Sequence, residues 1–167
     1  MSPKALLTLF SLFIFLVLVY TGYLFWQEKF ELYKPEAVAY FFKGEELVPV
    51  KQTLEKGADP IKGSLDRLLA GPPEADYISA LPAGLSLLSY ERKGEVLSLD
   101  LGPGLLGFSG GTAKIKAGLA QLVYTATAQK GINKVELRAG GPAGPLVLGG
   151  EGYTIDKPLG RRDVDLE

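Results

Sequence analysis

The sequence predicts an α+β fold: a two-layer sandwich of a mixed or antiparallel sheet with two helices on one face, preceded by one N-terminal transmembrane helix. Three observations lead there. A long apolar run stands at the N-terminus. The remainder reads strand–strand–helix, strand–strand–helix, strand. Each of its two helical patterns is apolar on one side only, so hairpins and helices have to cover one another.

The apolar run is Ala5 to Trp26, 22 residues without a formal charge. At 1.5 Å per residue such a helix spans roughly 33 Å, enough to cross a hydrocarbon core. Tyr20, Tyr23 and Trp26 gather at its far end, where an aromatic belt sits. Lys4 precedes the run and Glu28, Lys29 and Glu31 follow it. This bias places the N-terminus in the cytoplasm and everything after Trp26 outside the cytoplasmic membrane. A cleaved signal peptide is the competing reading, but its apolar core is about 7–15 residues long and ends at a small-x-small site. Here the run ends in Tyr23-Leu24-Phe25-Trp26, and Ala37-Val38-Ala39 lies too far beyond it. The expected organisation is an uncleaved signal-anchor over 1–26, a charged tether over 27–36, one domain over 37–162 and a polar tail over 163–167. About 140 residues suffice for one domain with its own core.

Val38 to Phe42 is rich in strand formers and Lys43-Gly44 supplies a turn; Leu47 to Val50 follows as a second strand, with Pro49 marking an edge or a bulge. Asp59-Pro60 starts a helix, since Asp accepts from first-turn amides and Pro loses no needed donor there. Ile61, Leu65, Leu68 and Leu69 form its apolar stripe, and Gly71-Pro72-Pro73 ends it. Leu85 to Glu91 and Glu95 to Leu101 are the next strands, joined by Arg92-Lys93-Gly94, with Leu97, Leu99 and Leu101 on one face. A Gly-rich loop, 102–111, leads to the longest helical pattern of the domain, from Thr112 to about Gln129, with Gly131 closing its end. Ile132 to Leu137 is a strand with Val135 and Leu137 on one face, and Leu146 to Leu148 is a short apolar piece. The polar, Gly-rich remainder is expected to be ordered only in part.

Composition excludes several function classes. There is no Cys and no His. Thiol catalysis, Cys-based zinc, disulfides and a lipoprotein acyl anchor are therefore out, as are the usual triad base and the commonest metal ligand. One Met and eleven Pro, without Cys, fit a thermophile-like composition. The net charge is −1, with no basic stripe, so nucleic acid is not an expected partner.

Three constellations could carry chemistry. Gly102-Pro103-Gly104-Leu105-Leu106-Gly107 has dinucleotide-loop spacing, but Phe108 to Gly111 intervene before any helix, which fits a connecting loop. Ser109-Gly110-Gly111-Thr112 could hold an anion on free amides; capping by Ser109 or Thr112 explains it without a ligand. Glu91, Glu95, Asp100, Asp156, Asp163 and Asp165 show no spacing that specifies a glycosidase or a metal cage. No catalytic, cofactor-binding or metal residue is assigned, and no cofactor is expected.

The order of elements and several short motifs carry a family resemblance from about Val38 to Arg161. They are Val38-Ala39-Tyr40-Phe41-Phe42 with Leu47-Val48-Pro49-Val50, then Leu68-Leu69-Ala70-Gly71-Pro72 and Leu81-Pro82-Ala83-Gly84. The most specific is Gln121-Leu122-Val123-Tyr124-Thr125-Ala126-Thr127, followed by Val135 before a Gly turn. In these the chain resembles the GerMN domain, the sporulation and spore germination domain. The resemblance implies a non-enzymatic envelope domain acting through protein contacts. Its expected partners are the membrane, through the N-terminal helix, and other envelope proteins or a second copy. Gly71, Pro72, Pro82, Gly84, Gln121, Tyr124 and Thr125 are the structural residues it marks, with Gln121 and Tyr124 expected to hydrogen-bond inside the sandwich. Two rivals remain: a carboxylate-dependent envelope hydrolase, and a cell-wall glycan binder using Tyr77, Tyr90 and Tyr153.

Overall fold

The computed structural model describes residues 3–32, 34–142, 144–149 and 152–165, in two compact units, Met1–Lys34 and Pro35–Glu167. The first is one helix, α1 (Pro3–Leu32). Its segment Pro3–Trp26 is apolar, with a mean hydropathy of 2.3 and no buried part, long and apolar enough to cross a membrane by length and composition. Within it the Thr8 hydroxyl donates to the Lys4 carbonyl (2.8 Å) and the Thr21 hydroxyl to that of Val17 (2.9 Å). Both threonine hydroxyls are thus satisfied by the helix's own backbone. The helical backbone continues through 27–32, the stretch read as tether, because no Gly or Pro interrupts it before Pro35.

The second unit runs β1 (Glu36–Lys43), β2 (Glu46–Thr53), α2 (Pro60–Leu69), β3 (Ser89–Lys93), β4 (Val96–Asp100), α3 (Gly111–Ala126), β5 (Lys134–Arg138), β6 (Leu146–Leu148) and β7 (Tyr153–Ile155). It is an α+β fold. The strands do not form a single sheet: β1 pairs with β2, β3–β4–β5 make a mixed sheet, and β6 pairs with β7. β3 and β4 are antiparallel, whereas β4 and β5 are parallel across the α3 crossover.

The reason for the separation lies on β1. Its Val38 N–H donates to Ser64 Oγ of α2 (2.9 Å) and its Tyr40 N–H to Thr125 Oγ1 of α3 (2.9 Å). Tyr40 O accepts from Gln121 Nε2 (3.0 Å), and Phe42 exchanges backbone bonds with Ile78. Helix side chains satisfy the edge where a third strand would pair. On the other side β2 pairs with β1 without a bulge, setting Pro49 opposite Tyr40. Pro49 therefore marks an edge strand, where a missing donor costs no ladder bond.

Both helices lie against β1 and each other, and α3 also against β5. Ala37, Ala39 and Phe41 of β1, Leu65 and Leu68 of α2, Leu97, Leu99 and Leu101 around β4, Ile115, Leu119, Leu122 and Val123 of α3, and Val135 and Leu137 are buried together. The alternation read in β5 holds; in β4 Leu97 and Leu99 are buried, but so is Ser98 between them. The start of α2 holds as well: Asp59 Oδ1 accepts from Ile61 N (2.8 Å) and Lys62 N (3.4 Å), with Pro60 at the first helical position.

Two expectations need correcting. Helix α3 opens at Gly111 with Gly110 as its cap and no side-chain capping bond, so neither Ser109 nor Thr112 caps it. Gly110 and Gly111 take φ of +103° and +82°, the left-handed region that lets glycine turn the chain straight into the helix. The C-terminal segment also contributes more to the core than its polar composition implies. Leu159 exchanges both backbone bonds with Val135 (2.8 Å each), and Leu148, Ile155, Leu159 and Val164 are buried. Val164 puts a core residue inside the stretch read as a polar tail.

The Gly-rich loop is a packing element. Pro103–Gly107 forms a 3₁₀ turn that buries Leu105, and Phe108 follows it into the core. The Phe108 ring lies on Gly118 of α3, where an added Cβ would stand 2.4 Å from Phe108 Cζ and 3.3 Å from Ala80 O. Gly118→Ala is expected to destabilise the domain by about 1–3 kcal/mol through overpacking, read as a lower urea midpoint with an unchanged slope.

Candidate functional site

Local chain geometry draws the motif residues to one place. At the end of α2, Ala70 is the helix cap and Gly71 follows with φ +94°, its N–H donating to Leu68 O (3.2 Å) and its carbonyl accepting from Arg67 Nη1 (3.2 Å). Only glycine enters that conformation freely, and Pro72 then forbids a further turn. Downstream, Leu85 N–H donates to Pro82 O (3.4 Å) while Gly84 holds φ +76°, the third position of a type II turn. Gly71, Pro82 and Gly84 line one open groove of about 330 Å³, walled by Leu69, Leu81 and Leu85. Pro72 adjoins it in the chain. Gly84→Ala, which strains the turn without meeting any neighbour, is expected to cost about 1–2 kcal/mol, measurable as a fall in thermal midpoint.

Gln121, fully buried, holds the Ser79–Ala80 side of this region, while Thr125, also fully buried, bonds the Tyr40 amide of β1. Gln121 Oε1 accepts from Ala80 N (2.6 Å) and Ser79 Oγ (3.5 Å), while its Nε2 reaches Tyr40 O. One amide thus ties the groove segment to β1. Tyr124, one residue before Thr125, turns away from the groove and is only half-buried. Its ring meets Tyr40 edge-on at 5.5 Å, and the Arg161 guanidinium lies over its face at 4.7 Å. Sequence reasoning missed Ser79 and Ala80, and it placed Tyr40 in a strand motif without seeing its role, since nothing in a motif marks residues that act through backbone atoms or a single hydroxyl.

The groove offers little reactive chemistry. Ser79 carries its only lining hydroxyl, and that oxygen accepts from Leu81 N (3.3 Å) besides bonding Gln121. Among the described residues no group of three or more His, Cys, Asp or Glu could hold a metal ion. Three of the carboxylates weighed as catalytic candidates are engaged by other groups. Asp100 Oδ1 accepts from Gly102 N (3.1 Å) and Gly140 N (2.8 Å), Glu91 pairs with Lys93 (3.0 Å), and Asp163 with Lys157 (2.8 Å).

Every described carboxyl with a displaced pKa is displaced downward. The Lys43 bond lowers Asp76, the Ser98 and Arg138 bonds lower Glu136, and the Lys157 bond lowers Asp163. Burial pushes Asp59 up, but the Tyr90 hydroxyl and the Ile61 and Lys62 amides outweigh it. The same contact pushes Tyr90 up to about 12. Groups lowered in the folded state stabilise it above their unfolded pKa and lose that contribution as pH falls through the folded one. The thermal midpoint is therefore expected to hold near neutrality and to drop below about pH 4, with Asp163→Asn flattening part of the drop. Tyr77 lies beneath Lys43 (5.1 Å), Tyr90 bonds Asp59, and Tyr153 is half-buried against the core. The recess beside Tyr90 holds neither of the other two tyrosines.

Comparison with known proteins bears on the same region. The family model described as Germane, sporulation and spore germination, matches residues 38–143. Among solved structures, the first GerMN domain of the sporulation protein GerM from Bacillus subtilis superposes with a TM-score of 0.61 at 21% identity, covering 77% of this chain and 98% of that one. The tandem GerMN domains of the same protein give 0.60 at 18%, covering 75% of this chain but 45% of theirs, so this chain spans less than half of the tandem structure. A structure described as a lipoprotein from Clostridium perfringens gives 0.56 at 20%, covering 78% of this chain and 89% of that one. No curated protein matches the sequence. At these identities the structural likenesses establish the fold.

Proposed function

The chain belongs to the Germane family of sporulation and spore germination domains, and from that premise we propose that it is a non-catalytic, membrane-anchored extracytoplasmic domain acting through protein contacts in the cell envelope. The observation that carries this reading is the groove beside the Pro82 turn. It is a recess of about 330 Å³ lined by Leu69, Leu81 and Leu85 together with exposed backbone polar groups, shaped by two positive-φ glycines and braced by Gln121, without an acid–base pair. Shape held this firmly favours recognition over reaction. The N-terminal helix supplies attachment, with Lys4 on the cytoplasmic side and the domain outside.

The partner is another envelope protein or a second copy. The solved relatives are described as a sporulation protein and a lipoprotein; this sequence contains no Cys, and the apolar helix is the attachment it offers. The downward shift of the displaced carboxyls weighs against a glycan hydrolase, whose general acid needs a raised pKa.

The test is purification in mild detergent followed by mass determination of the particle, with Leu81→Asp as the groove variant. A defined complex that shrinks to the monomer in the variant, while the variant's circular dichroism stays native, supports the reading. A wild-type monomer with no co-purifying envelope protein overturns it.

A further inference from the structure

A second recess lies away from the groove and carries a charge pattern of its own. It is open, about 590 Å³ in volume, and lies between the end of α3, the start of β5 and the 3₁₀ turn Arg161–Asp163. Lys134, Arg161 and Arg162 line it with a single carboxylate, Asp163. Both oxygens of that carboxylate are already engaged: Oδ1 with Lys157 Nζ (2.8 Å) and Oδ2 with the Gly160 amide (2.8 Å). Lys157 neutralises it, so the recess presents an uncompensated excess of cations in a domain whose whole chain is slightly acidic.

Arg161 is pre-positioned. Its Nε donates to Thr127 Oγ1 (2.8 Å), and its guanidinium lies 4.7 Å from the Tyr124 ring centroid and 5.8 Å from that of Tyr40. Thr127 is fixed in turn, since its hydroxyl donates to Val123 O (2.7 Å). Among the described residues the two terminal nitrogens of Arg161 have no hydrogen-bond partner. A fixed, planar fork with free donors is what binds a tetrahedral oxyanion in two-point fashion, at a smaller entropic cost than a mobile side chain. Lys134 and Arg162 add point charge, and Asn133 an uncharged amide, on the same lining. The volume leaves room for the group that bears the anion.

We propose that the recess formed by Asn133, Lys134, Arg161 and Arg162 is a binding site for a phosphate oxyanion, with Arg161 as its anchoring fork. The site is independent of the groove and of the reading built on it. Tyr124 thereby acquires a role: it is the platform that holds Arg161 in place.

The test uses the full chain in nanodiscs of zwitterionic phosphatidylcholine, titrated with inorganic phosphate at constant ionic strength and pH, with chloride as reference. The arginine side-chain NMR signals give the readout. Saturable binding that perturbs Arg161 is expected, weakened about tenfold or more in the double variant Lys134→Gln/Arg162→Gln. Both substituted side chains are exposed, so the variant should keep the wild-type melting midpoint in chloride. Arg161→Lys keeps the charge and should lose affinity through loss of the fork. Repeating the titration in nanodiscs of anionic phosphatidylglycerol separates the sources: a weakened phosphate response identifies a lipid headgroup as competitor, and an unchanged one identifies a soluble phosphate ligand. Non-saturable binding, or equal affinity in wild type and the double variant, overturns the proposal.

Discussion

Gln121→Leu is expected to destabilise the unit Pro35–Glu167 by about 2–6 kcal/mol, most of a small domain's margin. Leucine nearly matches the volume, so packing at this fully buried position is preserved and the loss is polar. Two backbone groups are orphaned at once: the Ala80 N–H, now 2.6 Å from Oε1, and the Tyr40 carbonyl, 3.0 Å from Nε2. Each buried unpaired group costs about 1–3 kcal/mol. Thr125→Val orphans only the Tyr40 N–H and should cost about half as much. The two substitutions meet at Tyr40, so together they should be non-additive. Trp26, the only tryptophan, sits on α1 and does not report on this unit. Amide hydrogen exchange at Tyr40 and Ala80 does. Loss of protection at both amides with a lowered global midpoint is the expected result; an unchanged midpoint would mean that Gln121 is not a structural tie.

Why Gln121 could be named from sequence while its partners could not follows from what each contributes. Elements whose signal is local were legible. Asp59-Pro60 caps α2 through atoms two and three residues away, Gly71 stops it through its own φ, and Leu97, Leu99 and Leu101 alternate by simple parity. The edge position of Pro49 was legible for the same reason. The number of sheets was not. The break beside β1 depends on Ser64, Gln121 and Thr125, which lie 26 to 85 residues from the strand atoms they bind, and nothing in β1 records that. The start of α3 was misplaced because sequence rules favour Ser109 or Thr112 as a cap, whereas two left-handed glycines make the turn themselves. The groove was legible only in its parts. Two Leu-Gly/Pro motifs can be read as a helix stop and a loop, but that they line one recess is a matter of tertiary packing that neither motif records. The basic recess left no trace, since its cations come from two distant segments of a chain with balanced charge.

The C-terminal segment gives the strongest disagreement between appearance and structure, and the largest expected effect. The family match ends at residue 143, and apart from the short apolar piece Leu146–Leu148 the sequence beyond it is polar and Gly-rich. Yet Leu148 is 0% exposed, Val164 1%, and Ile155 and Leu159 6% each. Burying each of four such side chains contributes about 1.5–3 kcal/mol, so together they supply roughly 6–12 kcal/mol. That sum is comparable with the whole stability of a typical domain, about 5–15 kcal/mol. Deleting them also uncovers Val135, whose N–H and carbonyl both pair with Leu159. A chain ending at Gly144 is therefore expected to lose cooperative unfolding altogether, with collapsed amide dispersion in a two-dimensional NMR spectrum. A milder variant separates burial from chain length: Leu159→Ala keeps the backbone bonds to Val135 and should cost about 2–5 kcal/mol while remaining cooperative. Were the shortened chain to unfold with the wild-type midpoint, residues 145–165 would be a decoration on the core defined by the family match. The burial of Val164 in particular argues that they close it.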